Sequence, residues 1–363
     1  MSRVMITPAA YAHLDRPVAR ILEAFPRPFS GKNVLLKVNM LGPFHPDQAA
    51  TTNPALVGAL ARQLLAAGAR VTIGDTPGAL GYGRNEDVAR RTGFLPELSQ
   101  FYKNLSIHTT AVKVESRFVS ELVITRDIFE ADIVISLPKF KTHMQTVFTG
   151  AIKNSYGTVA GSGKSRLHTL APKPSDFGEV VVDVFQVRPP DLFIIDAVTG
   201  MEGNGPSGGN PRDIGLLIAS DNGPAADGVV AAMMGVHPER IPMLKVAGKR
   251  NLGPIRPADM TIIGELKPIN NWRLPPSIVS RGLFGTLINR FWYGPLVRPW
   301  PHIIPACTAC GICADNCPVA VIEMRDIAVI DQDKCIRCYC CHELCPEGAV
   351  DLTGKVKRMT SWK

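Results

Sequence analysis

The chain has 363 residues, 45% of them apolar and 20% charged. That is enough for two or three cores at about 150 residues per domain, and it excludes a disordered tail or a disulfide-stapled miniprotein. The N-terminal stretch MSRVMITPAAYAHLDRP has no apolar signal region, and no window of about eighteen apolar residues marks a membrane-spanning helix, so the expected location is the cytoplasm. The net charge of +8 is uneven, −1 from His302 onward and +9 before it, a surplus that suits anionic partners without choosing among them.

In chain order, Val34-Leu-Leu-Lys-Val38 reads as a buried strand. Asn53-Pro54 then opens a helix, with Asn as cap and Pro in the first turn; Leu56, Val57, Leu60 and Leu64 follow helical spacing and Gly68 ends it. Further apolar runs at 71–73, 133–137, 192–195, 214–219 and 260–263 each end in polar or Gly-rich loops, and a helix is expected at 224–234. This alternation predicts an α/β fold with a mostly parallel sheet, whose ligands sit beyond the carboxyl ends of the strands.

Three motifs lie on those strand ends. Pro138-Lys139-Phe-Lys141-Thr142-His143 follows the strand at 133–137, and a helix carrying Lys153-Asn154 comes next. In an extended chain Lys139, Lys141 and His143 share one side. With Asp196 and Glu202 from the next strand end they form a candidate catalytic pocket for a carboxylate or phosphate, in which the acidic groups hold a metal or orient His143. Lys37, Asn39, Asp75 and Asn204 are further polar residues at loop tips. Gly203-Asn-Gly205-Pro-Ser-Gly208 matches a dinucleotide fingerprint, but Pro206 and the strand that follows argue against one. Gly161-Ser-Gly163-Lys164-Ser165 resembles a phosphate-binding loop, yet Thr158 stands where its first Gly is required and no strand leads into it, so it reads as a flexible loop.

Residues 266–314 contain no acidic residue and hold three of the four tryptophans. Ile278, Val279, Leu283, Phe284, Leu287, Ile288, Phe291 and Trp292 mark one face of a basic amphipathic helix. Such a helix packs on its own domain or lies on a membrane surface, the latter being the less favoured reading. Pro295, Pro299, Pro301 and Pro305 make an extended linker after it.

All nine cysteines lie between Cys307 and Cys345, which argues for a metal centre in a reducing compartment. Cys307-x2-Cys310-x2-Cys313-x3-Cys317-Pro318 repeats as Cys335-x2-Cys338-x2-Cys341-x3-Cys345-Pro346. This is the two-cluster bacterial ferredoxin spacing, in which the fourth Cys of each run ligates the other cluster. Cys307, Cys310, Cys313 and Cys345 are therefore expected on one [4Fe–4S] cluster, and Cys335, Cys338, Cys341 and Cys317 on the second. Paired zinc sites fit less well, since they use shorter Cys pairs on longer loops. Short strands at 319–324 and 327–330 fit an α+β module. Cys340 is surplus and reads as a packing residue, and His342 as a surface or hydrogen-bonding one.

Ser136-Leu-Pro-Lys139-Phe-Lys141-Thr-His143, Gly150-Ala-Ile-Lys153-Asn154, Asp196-Ala-Val-Thr-Gly-Met-Glu202-Gly-Asn-Gly205-Pro and Asp221-x5-Asp227 resemble the family called domain of unknown function 362, many of whose members carry a C-terminal two-cluster ferredoxin. The resemblance implies a cytoplasmic iron–sulfur protein with redox function and supplies no substrate. Three regions are expected: an α/β domain over 1–265, a connector over 266–301 and a ferredoxin-like module over 302–363. The leading reading is an iron–sulfur oxidoreductase passing single electrons from a redox partner or low-potential donor to an anionic small molecule, or to a second cofactor of unknown identity. The alternative is an electron carrier or adaptor that docks a redox partner. Nucleic acid is not an expected partner, because aromatic residues do not interleave with the basic ones.

Overall fold

A computed structural model describes residues 1–77, 85–279 and 299–352. Residues 280–298 lie outside the described residues, and with them nearly all of the amphipathic connector helix. Among the described residues no helix is long and apolar enough to cross a membrane.

The chain opens with β1 (Arg3–Pro8), α1 (Asp15–Ala24), β2 (Asn33–Lys37), α2 (Pro54–Ala66), β3 (Arg70–Gly74) and α3 (Asn85–Arg91). A separate hairpin, β4 (Thr109–Lys113) with β5 (Glu121–Thr125), leads through α4 (Asp127–Glu130) to β6 (Ile133–Ser136), β7 (Lys139–His143) and β8 (Val147–Thr149). Helices α5 (Ala151–Asn154), α6 (Gly163–Leu170) and α7 (Pro174–Val187) precede two long strands, β9 (Leu192–Glu202) and β10 (Asn210–Ser220). The domain ends with α8 (Gly223–Met233), α9 (Pro242–Lys249) and β11 (Thr261–Ile263).

These strands form one nine-stranded sheet in the order β11-β1-β10-β9-β6-β2-β3, with β7 on β9 and β8 on β7. It is mostly parallel, as its alternating strands and helices predict; β10 is the main exception, running antiparallel to both β1 and β9. Side chains alternate between two cores, as strand geometry requires. Val34, Leu36, Ile133, Ile135 and Ile194 face α1 and α2. Leu35, Val134, Phe193 and Ile195 face α7, α8 and α9. The α2 cap is as expected: the Asn53 side chain accepts from the backbone N–H of Ala55 at 2.9 Å, and Gly68 takes φ +81° just beyond the helix.

The register brings the ends of three strands side by side, since Lys37 of β2 stands opposite both Gly74 of β3 and Ser136 of β6. Strand β9 runs on past them. It pairs with β6 at Leu192 and Phe193, then with β7 at Asp196 and Met201. The candidate site side chains sit on or beside this ledge beyond the sheet's carboxyl edge.

The C-terminal module is built on two small antiparallel pairs, His302–Ile303 with Val350–Asp351 and Ile322–Met324 with Ala328–Ile330. The end of the expected proline linker is thus the module's first strand. Two short helices, Ile312–Asp315 and Cys340–Leu344, complete it.

Phe140 of β7 is fully buried and meets the Trp272 ring edge-on at 5.3 Å between centroids, fastening β7 to the segment that leads toward the connector. Phe140→Ala is expected to lower stability by about 3–5 kcal/mol, read from guanidinium unfolding.

Candidate functional site

Lysines are the main charge on the ledge, and their partners divide them. Lys37 is buried and donates to Asp75 Oδ1 at 2.7 Å and to the Val38 carbonyl at 2.8 Å. Asp75 Oδ2 accepts from the backbone of Met40 at 2.7 Å. A Cβ on Gly157 would lie 2.5 Å from Lys37 Nζ and 2.6 Å from Asp75 Oδ1, so the glycine lets the 3₁₀ turn Ser155–Thr158 cover this pair closely without displacing it. Lys139 and Asp196 are wholly buried 2.8 Å apart, and Tyr11 accepts from Lys139 while donating to Asp196 Oδ1, each at 2.8 Å.

This corrects the sequence expectation. Lys139 and Asp196 form a closed internal network and do not line the cavity at the strand ends. The irregularity lies on β9: Lys139 pairs with Asp196 and Lys141 with Met201, so β9 advances five residues while β7 advances two, and Lys139 is left directly against the Asp196 carboxylate. Glu202 also turns elsewhere, held by Arg212 Nη1 at 2.9 Å and Arg273 Nε at 2.7 Å.

Lys141, His143, Lys153 and Asn154 do come together, in the wall of a cavity of about 480 Å³. Lys141 is buried, and its ammonium donates to the Ala50 carbonyl at 2.5 Å without a carboxylate partner; burial pushes its pKa down to about 7. Lys153 lies 4.4 Å from the centroid of the Tyr156 ring, which it faces as a cation. Asn154 Nδ2 donates to Ser136 Oγ at 2.9 Å, tying α5 to the end of β6. Asp227, buried on α8, orients the same helix by accepting from the backbone N–H groups of Ala151 at 2.6 Å and Ile152 at 3.0 Å. Burial raises its pKa to about 7.

His143 is not the near-neutral proton carrier the sequence suggested. Burial holds its pKa well below the ordinary value. Its Nδ1 accepts from the backbone N–H of Gln145 at 3.2 Å, leaving Nε2, 3.2 Å from Glu343 Oε1, to carry the proton.

Other wall residues escaped the sequence reading. Gly161-Ser-Gly163-Lys164-Ser165 is not a flexible loop: Gly163–Leu170 is helical, and Lys164, Ser165 and His168 line the cavity. Lys164 donates to the carbonyl and hydroxyl of Thr76. The motif itself was the signal, discounted because no strand leads into it.

The opposite wall comes from the ferredoxin-like module: Cys310, Ile312, Asp315, Cys317, Cys340 and Glu343 line the same cavity. The dinucleotide-like loop is where this module is seated. His342 is buried, with Nε2 2.9 Å from the Asn204 carbonyl and Nδ1 2.7 Å from that of Val350, and Ser207 Oγ donates to the His342 carbonyl at 3.0 Å. A Cβ on Gly208 would come within 3.2 Å of the His342 ring. Cys340 is buried as expected, but it faces the cavity as well as packing.

The cysteines fit an iron–sulfur group. One small void is lined by Cys307, Cys310, Cys313 and Cys345, and a second by Cys317, Cys335, Cys338 and Cys341. Among the described residues no three ligating side chains converge on a single ion. They surround voids instead, as thiolates at the corners of a cluster do.

Removing one partner of a buried ion pair strands the other, at about 3–5 kcal/mol. Asp196→Ala is therefore expected to cost about that much in urea unfolding, whereas Lys153→Met, at an ammonium without an ion pair, leaves the midpoint nearly unchanged.

Residues 34–232 match the family described as domain of unknown function (DUF362), and residues 328–351 match the 4Fe-4S binding domain. A thylakoid-associated protein of Synechocystis sp. is 34% identical over 251 residues, covering 68% of this chain and 77% of that protein. Among solved structures, a protein from Thermotoga maritima aligns with a TM-score of 0.41 and 14% identity, over 63% of this chain and 60% of that one. The lactate racemase apoprotein from Thermoanaerobacterium thermosaccharolyticum aligns with a TM-score of 0.38 and 12% identity, over 63% and 57%. With the DUF362 match spanning more than half of its length and a 4Fe-4S binding module behind it, the chain belongs to the DUF362 family.

Proposed function

We propose that the protein is an iron–sulfur oxidoreductase whose reaction takes place in the cavity between its two modules. Two [4Fe–4S] clusters, when bound, supply single electrons at low potential. Cys307, Cys310, Cys313 and Cys345 hold one, and Cys317, Cys335, Cys338 and Cys341 the other; the two cysteine-lined voids support this crossed division.

The observation that carries the reading is the composition of the cavity wall. Cys310 and Cys317, one from each ligand set, share it with Lys141, His143, Lys153 and Asn154. A molecule held there is in contact with ligands of both clusters, so no intervening protein layer separates it from the electron source. Lys141 and Lys153, which make no ion pair within contact distance among the described residues, bind an anion. Lys141, with a pKa near 7, rather than His143, exchanges a proton with the ligand at neutral pH. An adaptor that only docks a partner has no use for a basic cavity beside its own cluster ligands. The electron donor is a redox partner protein, and the proposed setting is the reducing cytoplasm.

Anaerobically reconstituted protein is expected to hold about eight iron and eight sulfide per chain, falling by about half in Cys317→Ala with loss of the cluster on the second run; Cys340→Ser keeps the full content. About four of each in the unaltered protein contradicts the two-cluster assignment. For the reaction, the dithionite-reduced protein is mixed with the small-molecule filtrate of the source cells and cluster reoxidation is followed at visible wavelengths. Lys141→Met/Lys153→Met is expected to slow reoxidation while retaining its iron, and equal rates in both proteins favour the adaptor.

A further inference from the structure

We propose that the occupant of this cavity is an organic phosphate monoester, with its phosphate on Lys164, Lys153 and the first turn of α6. The inference rests on reading the cavity as the ligand site and specifies what fills it.

The first ground is uncompensated charge. Lys141, Lys153 and Lys164 stand in one wall, and none makes an ion pair among the described residues. Of the carboxylates within reach, Asp75 is taken by Lys37; Glu343, whose charge is felt by Lys141 and Lys153, is a single buried carboxylate facing three lysines, its own pKa raised to about 7 by burial, and Asp315 is exposed on the opposite wall. A carboxylate ligand brings one charge and two oxygens. A phosphate monoester brings about 1.5 to 2 negative charges and three oxygens, enough to serve several ammonium groups at once.

The second ground is where these groups stand. Lys164 and Ser165 belong to the N-terminal turn of the eight-residue α6 and line the cavity; the backbone N–H groups of Gly163 and Lys164 already donate to the Ala160 and Gly161 carbonyls, so this turn offers the Lys164 and Ser165 side chains and the field of the helix rather than those N–H groups. Gly161, at φ +51°, supplies the left-handed turn that brings the chain into this helix.

The third ground is an unused polar atom and the space around it. His168 is buried, lines the cavity and stacks on Phe177 at 4.3 Å, yet its Nδ1 has no hydrogen-bond partner among the described residues. Burial lowers its pKa to about 3, so the ring is neutral and Nδ1 is available to a polar atom of a ligand. A volume of about 480 Å³ exceeds what inorganic phosphate fills and lies in the range that takes organic ligands. Tyr156 beside His168, and Ile312 and Leu344 elsewhere in the lining, offer apolar surface to the body of such a ligand.

The test is calorimetric titration of the oxidised, cluster-loaded protein with phenyl phosphate and, at matched charge, succinate. No reductant is present, so the result bears on the occupant and not on electron transfer. Phenyl phosphate is expected to bind at least about tenfold more tightly than succinate, and Lys164→Ala to weaken it at least about tenfold, the loss of one charge-assisted hydrogen bond. If Lys164→Ala does not retain its clusters, Ser165→Glu, which adds a negative charge at the same turn, is expected to abolish phenyl phosphate binding. Succinate binding as tightly as phenyl phosphate, neither ligand binding, or unchanged phenyl phosphate affinity in the variant that folds overturns the proposal. Phenyl phosphate that binds as expected while no filtrate fraction reoxidises the reduced clusters leaves this inference standing and contradicts the redox reading.

Discussion

The arrangement depends on one electrostatic constraint: five lysines, at 37, 139, 141, 153 and 164, are crowded onto the carboxyl edge of a sheet, where burial disfavours their charged forms. The fold resolves two of them internally. Asp75 takes Lys37, and Asp196 with Tyr11 takes Lys139. These pairs tie the ends of β2, β3, β7 and β9 together and give the ledge its rigidity. The other three are left with neutral oxygens or an aromatic face, and all three line one cavity. Neighbouring residues of the same type thus divide into internally paired lysines and lysines that face the cavity.

The second module completes what the sheet leaves open. Its helix Cys340–Leu344 places Glu343 against His143 and His342 against the loop after β9, so the second cysteine run is pinned to the strand ends by buried polar contacts. The glycines of that loop matter for closeness: a Cβ on Gly205 would lie 2.1 Å from the Thr142 carbonyl, and one on Gly208 would press on His342. A spacing that mimics a nucleotide fingerprint here serves contact between modules.

The fold class was legible because strand and helix periods are written plainly in the apolar residues. Val34, Leu35 and Leu36 divide between two cores, and Asn53-Pro54 starts its helix where capping chemistry says it must. The 4Fe-4S binding domain was legible for a similar reason, since a local run of cysteines leaves little to tertiary context. The fates of Lys139 and Glu202 depend on partners that the local pattern does not show: Asp196 on the paired strand for one, Arg212 and Arg273 for the other. Lys164 and His168 were passed over because their relevance comes from a wall supplied by Cys310, Cys340 and Glu343, roughly half a chain away. Local pattern reveals elements and ligand runs, whereas a cavity between modules exists only once the chain is closed.

The central claim, that the cavity holds a molecule which exchanges electrons with the clusters, is tested most directly by native mass spectrometry of the holoprotein purified without oxygen, before and after one cycle of reduction with dithionite and reoxidation. The account predicts a complex heavier than polypeptide plus clusters by one small anion, recovered after the cycle in a chemically reduced form. An anion recovered unchanged from protein whose clusters have been reduced and reoxidised, or a holoprotein that carries no additional mass even after exposure to the source-cell filtrate, contradicts it.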